Sequence, residues 1–259
     1  MFTFETRMGI KHYVFTEKSP IYFAWLFSSL GFGLTISIRK AIRDTGEWWR
    51  AGLDTRENML LTKRVEIALK GCFWLKSLSV RTQVVSDFRS IARLYQLRFL
   101  EFVVLAPVTV DISGLSQLEE LTLGQWTESV LGLSALPNLR SVYVQKLSPK
   151  WVSTLPTSIE HISALGADLM KSNLRRLPNL TKISIAHSRY LDFGKNLGSD
   201  SVQVMLLRDV EKVNNTHLIL EKFPNLKTVQ LDWVATEAEN ELRTSVGRIM
   251  EIIAKRIGR

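Results

Sequence analysis

The chain has 259 residues, 46% of them hydrophobic, with 34 Lys/Arg against 25 Asp/Glu and a formal net charge of +9. That length and apolar content suit one large globular domain or two small ones. The single cysteine, Cys72, excludes an internal disulfide framework, fits a reducing compartment, and leaves no Cys/His cluster with zinc-site spacing.

The position of the charge is informative. Residues 1–64 hold ten Lys/Arg and six Asp/Glu, residues 243–259 hold five and one, and the long middle is left at +1. A reader of nucleic acid is expected to place its basic stripe on its working surface, so no specific nucleic-acid partner is expected here. Two solvated basic ends, or a weak preference for an acidic partner or anionic membrane, account for the excess.

Taken in order, residues 1–20 mix aromatic and charged side chains without a clean period or a signal-peptide layout. Ile21 to Ile38 then pass without a charge, which meets the length of a membrane-span candidate. Within that stretch Gly31 and Gly33 bracket a plausible turn. Leu34 to Ile38 alternates apolar and polar residues as a half-buried strand does. Buried β structure and an anchoring helix both stand as readings. Ala41 to Leu69 reads as two short polar helices broken at Asp44-Thr-Gly46, with Trp48 and Trp49 placed to cover the first layer of an apolar stack.

From Leu75 a single phrase returns. Leu94-x-x-Leu97-x-x-Leu100-x-Phe102 is followed by the same order at Leu115–Leu123 and Leu136–Val144. It is degenerate at Leu155–Ala164, clean at Leu177–Ile185, short at Val202–Leu207, and clean again at Phe223–Leu231. Anchors at 75, 97, 118, 139, 159, 180, 202 and 226 keep spacings of 20 to 24 residues, and Pro-Asn-Leu recurs in one phase at 137–139, 178–180 and 224–226. Such a period marks a stack of supersecondary units, none able to bury its apolar side alone. The L-x-L pair of each phrase points to one side of a short strand. Each buried leucine contributes about 1.5–3 kcal/mol.

Over about Val65 to Val234 the chain resembles the leucine-rich repeat family, with short internalin-like repeats. The resemblance implies an α/β solenoid: a curved stack of about eight repeats with a parallel β-sheet on its concave face, flanked by an N-terminal cap region and a C-terminal helix. The domains follow as 1–64, 65–234 and 235–259. One departure stands out. The family's ladder asparagine would fall at Gln83, Leu105, Trp126, Leu147, Ala167, Ser188, Val210 and Val234, and none is asparagine. The corner after each strand must satisfy its backbone polar groups in another way.

Glu237 to Ile257 closes the chain with Leu242, Val246, Ile249, Met250, Ile253 and Ile257 on one helical face and a Thr236/Glu239 capping box at its start. It reads as a cap on the last repeat, or as a basic amphipathic helix for a membrane surface or partner.

No catalytic constellation emerges. The histidines, His12, His161, His187 and His217, lack metal-site spacing, and no phosphate-cradling glycine loop or nucleophile elbow occurs. Cys72, between Gly71 and Phe73, reads as a small buried hydrophobe. The expected working surface is the concave sheet face, with Phe99, Glu101, Glu120, Thr122, Trp126, Tyr143, Gln145, His161, Lys182 and Arg208 as candidate partner contacts. Phe99, Trp126, Tyr143 and His161 form a candidate aromatic stripe of the kind enriched at interface hot spots. The expectation is a non-enzymatic, cytoplasmic scaffold that binds another protein and needs no cofactor. The alternative is an accessory subunit of a membrane complex, associated with the membrane through residues 21–38.

Overall fold

A computed structural model describes the chain except residues 1, 8, 17, 39–55, 83–88, 105–107, 125–126, 146–148, 166–172, 195–197, 247–250 and 256–259. It folds as two compact units, Met1–Leu139 and Arg140–Arg259.

The first unit opens with β1 (Phe4–Arg7) antiparallel to β2 (Ile10–Phe15). Helix α1 (Ile21–Ser29) leads through a turn with Gly31 at positive φ into β3 (Gly33–Ile38), which runs parallel to β2. The apolar stretch 21–38 is therefore a nine-residue helix followed by a strand, and the alternation from Leu34 to Ile38 is the strand. Among the described residues no helix is long and apolar enough to cross a membrane. Helix α2 (Arg56–Lys70) precedes β4 (Ser77–Thr82), which pairs in parallel with β3 on one side and β5 (Phe99–Val104) on the other. After β6 (Val108–Asp111), β7 (Glu120–Leu123) adds to β5 in parallel. β8 (Thr127–Leu131) pairs in parallel with β6, so the segments that leave the main strands carry a short ladder of their own. The parallel sheet thus starts upstream of residue 65, with β2 and β3.

The second unit repeats the plan. β9 (Ser141–Val144), helix α3 (Pro149–Thr154) and β10 (His161–Leu165) are followed by β11 (Lys182–Ser188), with β9, β10 and β11 parallel and in register. β12 (Leu191–Asp192) follows, then β13 (Val204–Val210) and β14 (Val213–Asn214). β13 joins β11, and β14 joins β12, both in parallel. A short α4 (Ile219–Lys222) precedes β15 (Thr228–Asp232), parallel to β13.

The phrase L-x-x-L-x-x-L-x-L has a direct physical reading. Each L-x-x-L step is a turn closed by a backbone bond three residues apart: Leu97 N to Leu94 O at 2.8 Å, Leu118 N to Leu115 O at 2.9 Å, Leu180 N to Leu177 O at 3.1 Å. At three residues per turn such leucines eclipse on one side. The final L-x-L then points the same way because a strand alternates. The inward pairs, from Leu34/Ile36 in β3 to Val229/Leu231 in β15, are at most 2% exposed. Where the chain enters each strand, one carbonyl receives two successive amides. Arg98 O takes those of Glu119 and Glu120 at 2.8 and 3.0 Å, and Glu160 O takes those of Thr181 and Lys182 at 2.9 and 3.1 Å.

The asparagines of the phrase bond backbone at the turn before each strand, not at the corner after it. In each Pro-Asn-Leu the asparagine amide donates to a carbonyl of the preceding phrase: Asn138 to Ser116 O at 2.8 Å, Asn179 to Thr157 O at 3.0 Å, and Asn225 to Asp200 O at 2.6 Å. Of the family's own positions, Ser188 is buried and donates to Tyr190 O at 3.0 Å.

The two ends are closed in different ways. The N-terminal edge is covered by an aromatic cluster in which Phe27 stands 5.1 Å from Phe4 and 4.8 Å from Tyr13, centroid to centroid, with Lys11 over the Phe4 ring. The cap assigned to Trp48 and Trp49 lies outside the described residues. At the other end the helix expected over 237–257 is shorter. Helix α5 spans Thr236–Val246 and is followed by β16 (Glu251–Lys255), parallel to β15. Helix α5 buries Ala238 and Leu242 and lies against α4, β14 and the turn at 216–218, so the edge of β15 is covered by a strand instead of a helix. An exposed strand edge offers a row of unpaired amides and carbonyls, which only another strand pairs in full.

Candidate functional site

Every main strand turns one face to the leucine core and one away from it. In the first unit the outer face carries a closed polar network. In-register pairing sets Glu5 beside His12, His12 beside Gly33, and Thr35 beside Ser79. The His12 ring lies flat across Gly33, where a Cβ would come within 2.4 Å of it, and reaches Ser77 on the next strand. Its Nδ1 is 3.1 Å from Thr35 Oγ1 and its Nε2 is 2.9 Å from Ser77 Oγ. Thr35 gives its own proton to Glu5 Oε1, so it accepts from Nδ1–H, and the bare Nε2 accepts from Ser77. The ring is neutral in this arrangement. Burial, the largest influence, pushes its pKa down against the opposing pull of Glu5. One row further, Glu101 receives Arg7 at 2.7 Å, Ser79 at 2.6 Å and Arg81 at 3.1 Å. Burial works against the Glu5 carboxylate, but the Arg7 guanidinium and Thr35 hydroxyl hold it below the usual range.

A serine, a histidine and a carboxylate relayed through Thr35 have the makings of a nucleophile chain. Ser77 is 2% exposed, however, and no carbonyl can approach its hydroxyl. The network rigidifies a sheet face and offers a ligand little.

The outer face of the second unit is organised differently. Its first row runs Ser141, His161, Lys182, Val204, Thr228; its second runs Tyr143, Ser163, Ser184, Leu206, Gln230; its third places Leu165, Ala186, Arg208 and Asp232 side by side. Small serines beside Tyr143 leave its ring without a tall neighbour in its own row. Burial raises the Tyr143 pKa while the Arg208 charge acts the other way. Arg208 is exposed and 3.3 Å from Asp232. The Nε2 of His161 is buried and has no hydrogen-bond partner among the described residues. Burial, followed by the charge of Lys182, lowers its pKa. An unsatisfied buried donor or acceptor of this sort costs about 1–3 kcal/mol.

At the far ends of these strands three successive phrases place a residue in the left-handed region: His187, Asp209 and Trp233, with φ of 52°, 50° and 59°. His187 Nδ1 and Asp209 Oδ2 are 2.6 Å apart at the surface, and Trp233 is 63% exposed. Histidine and aspartate tolerate this conformation better than a bulky indole does.

Of the predicted residues, Glu101 is engaged by two arginines and a serine. Phe99, at the start of β5, has the Arg98 guanidinium 5.7 Å from its ring centroid. Glu120 and Thr122 are half-buried on β7. Tyr143, His161, Lys182 and Arg208 share the outer face of the second unit, and Gln145 follows β9. The aromatic stripe is divided: Phe99 belongs to the first unit, Tyr143 and His161 to the second, and Trp126 lies outside the described residues. Two groups escaped sequence reasoning. His12 and Thr35 occupy polar positions of alternating strands within residues 1–64, outside the expected repeat stack, and they join Ser77 and Ser79 of its first strand. His187, Asp209 and Trp233 recur at the phrase spacing, but polar recurrence is not a core signal.

Cys72 is buried, and its thiol is pushed up to about 11, chiefly by burial. It donates to Ala68 O at 3.2 Å, as an inert core residue does. A groove of about 450 Å³ along the turns of the second unit is lined by Asn179, Thr181, Gln203, Asn225 and Lys227. Its two carboxylates, Glu160 and Asp200, are paired with Arg140 and Arg175. Among the described residues no group of three His, Cys, Asp or Glu side chains could hold a metal ion.

No family model and no curated protein matches the chain. Among solved structures it is similar to an internalin from Listeria monocytogenes, at 14% identity over 96% of this chain and 87% of that one, with a TM-score of 0.30. At that TM-score the likeness carries no argument, and the fold rests on this chain's own strands and turns.

Proposed function

We propose that the chain is a non-enzymatic interaction scaffold, working in a reducing, cytoplasmic setting, that binds another protein through the outer sheet face of its second unit. The observation that supports this reading is the contrast within one row pair: a buried, unbonded His161 Nε2 beside Lys182, and a Tyr143 ring bordered by serines, with the exposed Arg208 three strands from Tyr143. An aromatic anchor with polar side chains beside it and a rim charge are the components of a protein-binding hot spot. Of the residues expected to touch the partner, Tyr143, His161, Lys182 and Arg208 are the centre of this proposal. Glu101 is left out because its oxygens are already engaged.

The test is affinity capture with the wild-type chain against Tyr143→Ala and His161→Ala variants, each checked for an unchanged far-UV spectrum. A partner retained by the wild type should be lost or weakened at least about tenfold by either change, since a central hot-spot truncation is worth about 1.4 kcal/mol or more. Equal retention by all three chains rejects this face.

A further inference from the structure

A second surface, in the first unit, carries its own chemistry. The two residues before each phrase's anchor occupy the same turn position throughout. In the later phrases they are Ser116-Gln117, Pro137-Asn138, Thr157-Ser158, Pro178-Asn179, Asp200-Ser201 and Pro224-Asn225. In the first two they are Phe73-Trp74 and Tyr95-Gln96. The strand register, with Ser77 opposite Phe99, puts Phe73 and Tyr95 at equivalent places in adjacent layers. Phe73, Trp74 and Tyr95 are 50, 55 and 53% exposed. The later phrases make the same turn without an aromatic ring, so the fold does not require these three.

The rings belong to a larger patch. Trp25 of α1 lies against Gly71, where a Cβ would fall 2.1 Å from its Nε1, and donates that N–H to Ala68 O at 3.0 Å. Its ring is thereby held beside the turn that carries Phe73 and Trp74 while remaining partly exposed. Helix α2 turns Lys63, Ile67 and Lys70 outward at helical spacing just ahead of that turn. The near-neutral middle of the chain conceals a local excess: residues 65–100 carry six Lys/Arg and two Asp/Glu, and neither 67–82 nor 89–100 contains an acidic residue. Arg81 and Arg98 pair with Glu101 and Glu119. Lys70, Lys76 and Arg93, which flank the exposed rings in sequence, pair with no carboxylate among the described residues.

We propose that this turn edge docks on an anionic lipid bilayer. Tryptophan and tyrosine settle at the water–lipid boundary, because each has an apolar ring and a polar edge. Unpaired lysines bury their stems while their ammonium groups meet lipid phosphates. The aliphatic Ile67 and the bare phenyl of Phe73 gain from hydrocarbon and gain little from a stacked base, which favours a bilayer over single-stranded nucleic acid. Attachment here is peripheral and calls on no spanning segment.

The test is co-sedimentation of the full chain with phosphatidylserine-containing vesicles and with pure phosphatidylcholine vesicles. Binding is expected to the first, with release as salt rises. The variant Phe73→Ser/Trp74→Gln/Tyr95→Ser installs the residues that Ser116 and Gln117 already represent in this fold, so folding should survive, as far-UV dichroism verifies. It should weaken vesicle binding at least about tenfold. Lys70→Glu/Lys76→Glu should do the same while leaving the rings in place. Absence of wild-type binding to anionic vesicles overturns the proposal, as does equal binding by the aromatic variant. A ring variant that abolishes self-association or nucleic-acid binding with no change on vesicles also overturns it. None of these residues belongs to the Tyr143–His161 face, so either surface can fail alone.

Discussion

The two units place opposite things on the same kind of sheet face. In the first, the outer face is consumed by its own side chains: His12 spans Gly33 to reach Ser77, and Glu101 gathers Arg7, Ser79 and Arg81. In the second, the corresponding face leaves His161 Nε2 unbonded and Arg208 at the surface. Identical backbone plans therefore do not make equivalent working surfaces. A face whose polar groups satisfy one another is stiff and silent. A face with a buried group left over carries an uncompensated desolvation cost.

The largest effect expected from breaking this contrast is at Gly33. Gly33→Val has no room for its Cβ beneath the His12 ring. Displacing that ring strands the buried Ser77 hydroxyl and removes the His12 N–H from Thr35, and urea unfolding should show a loss of about 3 kcal/mol or more. The matching lesion in the second unit, His161→Ala, should cost under about 1 kcal/mol, because its Nε2 has no hydrogen-bond partner among the described residues. Equal losses at the two positions would show that the contrast is not real.

Glu101→Ala comes next. It removes the acceptor of three hydrogen bonds and leaves Arg7 with Glu5 alone. A loss of about 2 kcal/mol is expected by the same measurement. An unchanged midpoint would mean that the network contributes nothing to stability.

Acidity should act on both faces through their histidines. His12 and His161 have folded pKa values below the ordinary 6.5. The unfolded chain then binds more protons than the folded one as pH falls below 6.5. Their contribution is full above that value and is lost progressively on acidification. The melting temperature should fall between pH 7.5 and 5.5, and His12→Gln should flatten part of that slope. A melting temperature that rises on acidification would contradict the sign.

The smallest effect is expected at Trp233. Trp233→Gly relieves a left-handed conformation at an exposed site, but the freer unfolded chain offsets part of the gain. Thermal melting should show a change between zero and about 1 kcal/mol, in the stabilising direction. A clear destabilisation would mean that the indole packs against something the fold requires.

Much of the fold is legible in the residues. The period of the phrase, the three-residue leucine turns and the alternating L-x-L pairs specify parallel strands with known inward residues, because burial imposes a strict period on any element that repeats. The strand at Leu34–Ile38 is visible as alternation, but α1 is not separable from it by hydropathy alone. The C-terminal pattern illustrates the opposite case. Its apolar positions satisfy a helix as far as Ile257, yet the helix ends at Val246 and Glu251–Lys255 becomes a strand. The unpaired edge of β15 decides this, and such an edge exists only after the sheet has formed. The outward placement of Tyr143, His161, Lys182 and Arg208 follows from strand phase, whereas the satisfaction of Glu101 by Arg7 joins residues 94 apart and has no local trace.

By itself, then, the sequence determined the layer spacing, the core and the side of each strand that faces away from it, because these follow from periodicity and the cost of exposing apolar surface. The tertiary structure alone decided which outward groups are satisfied by neighbours and which are left over, because hydrogen bonding depends on distances between strands that the chain brings together from far apart. It likewise decided that Asn138, Asn179 and Asn225 hold carbonyls of the preceding phrase, a role their position in the phrase does not announce.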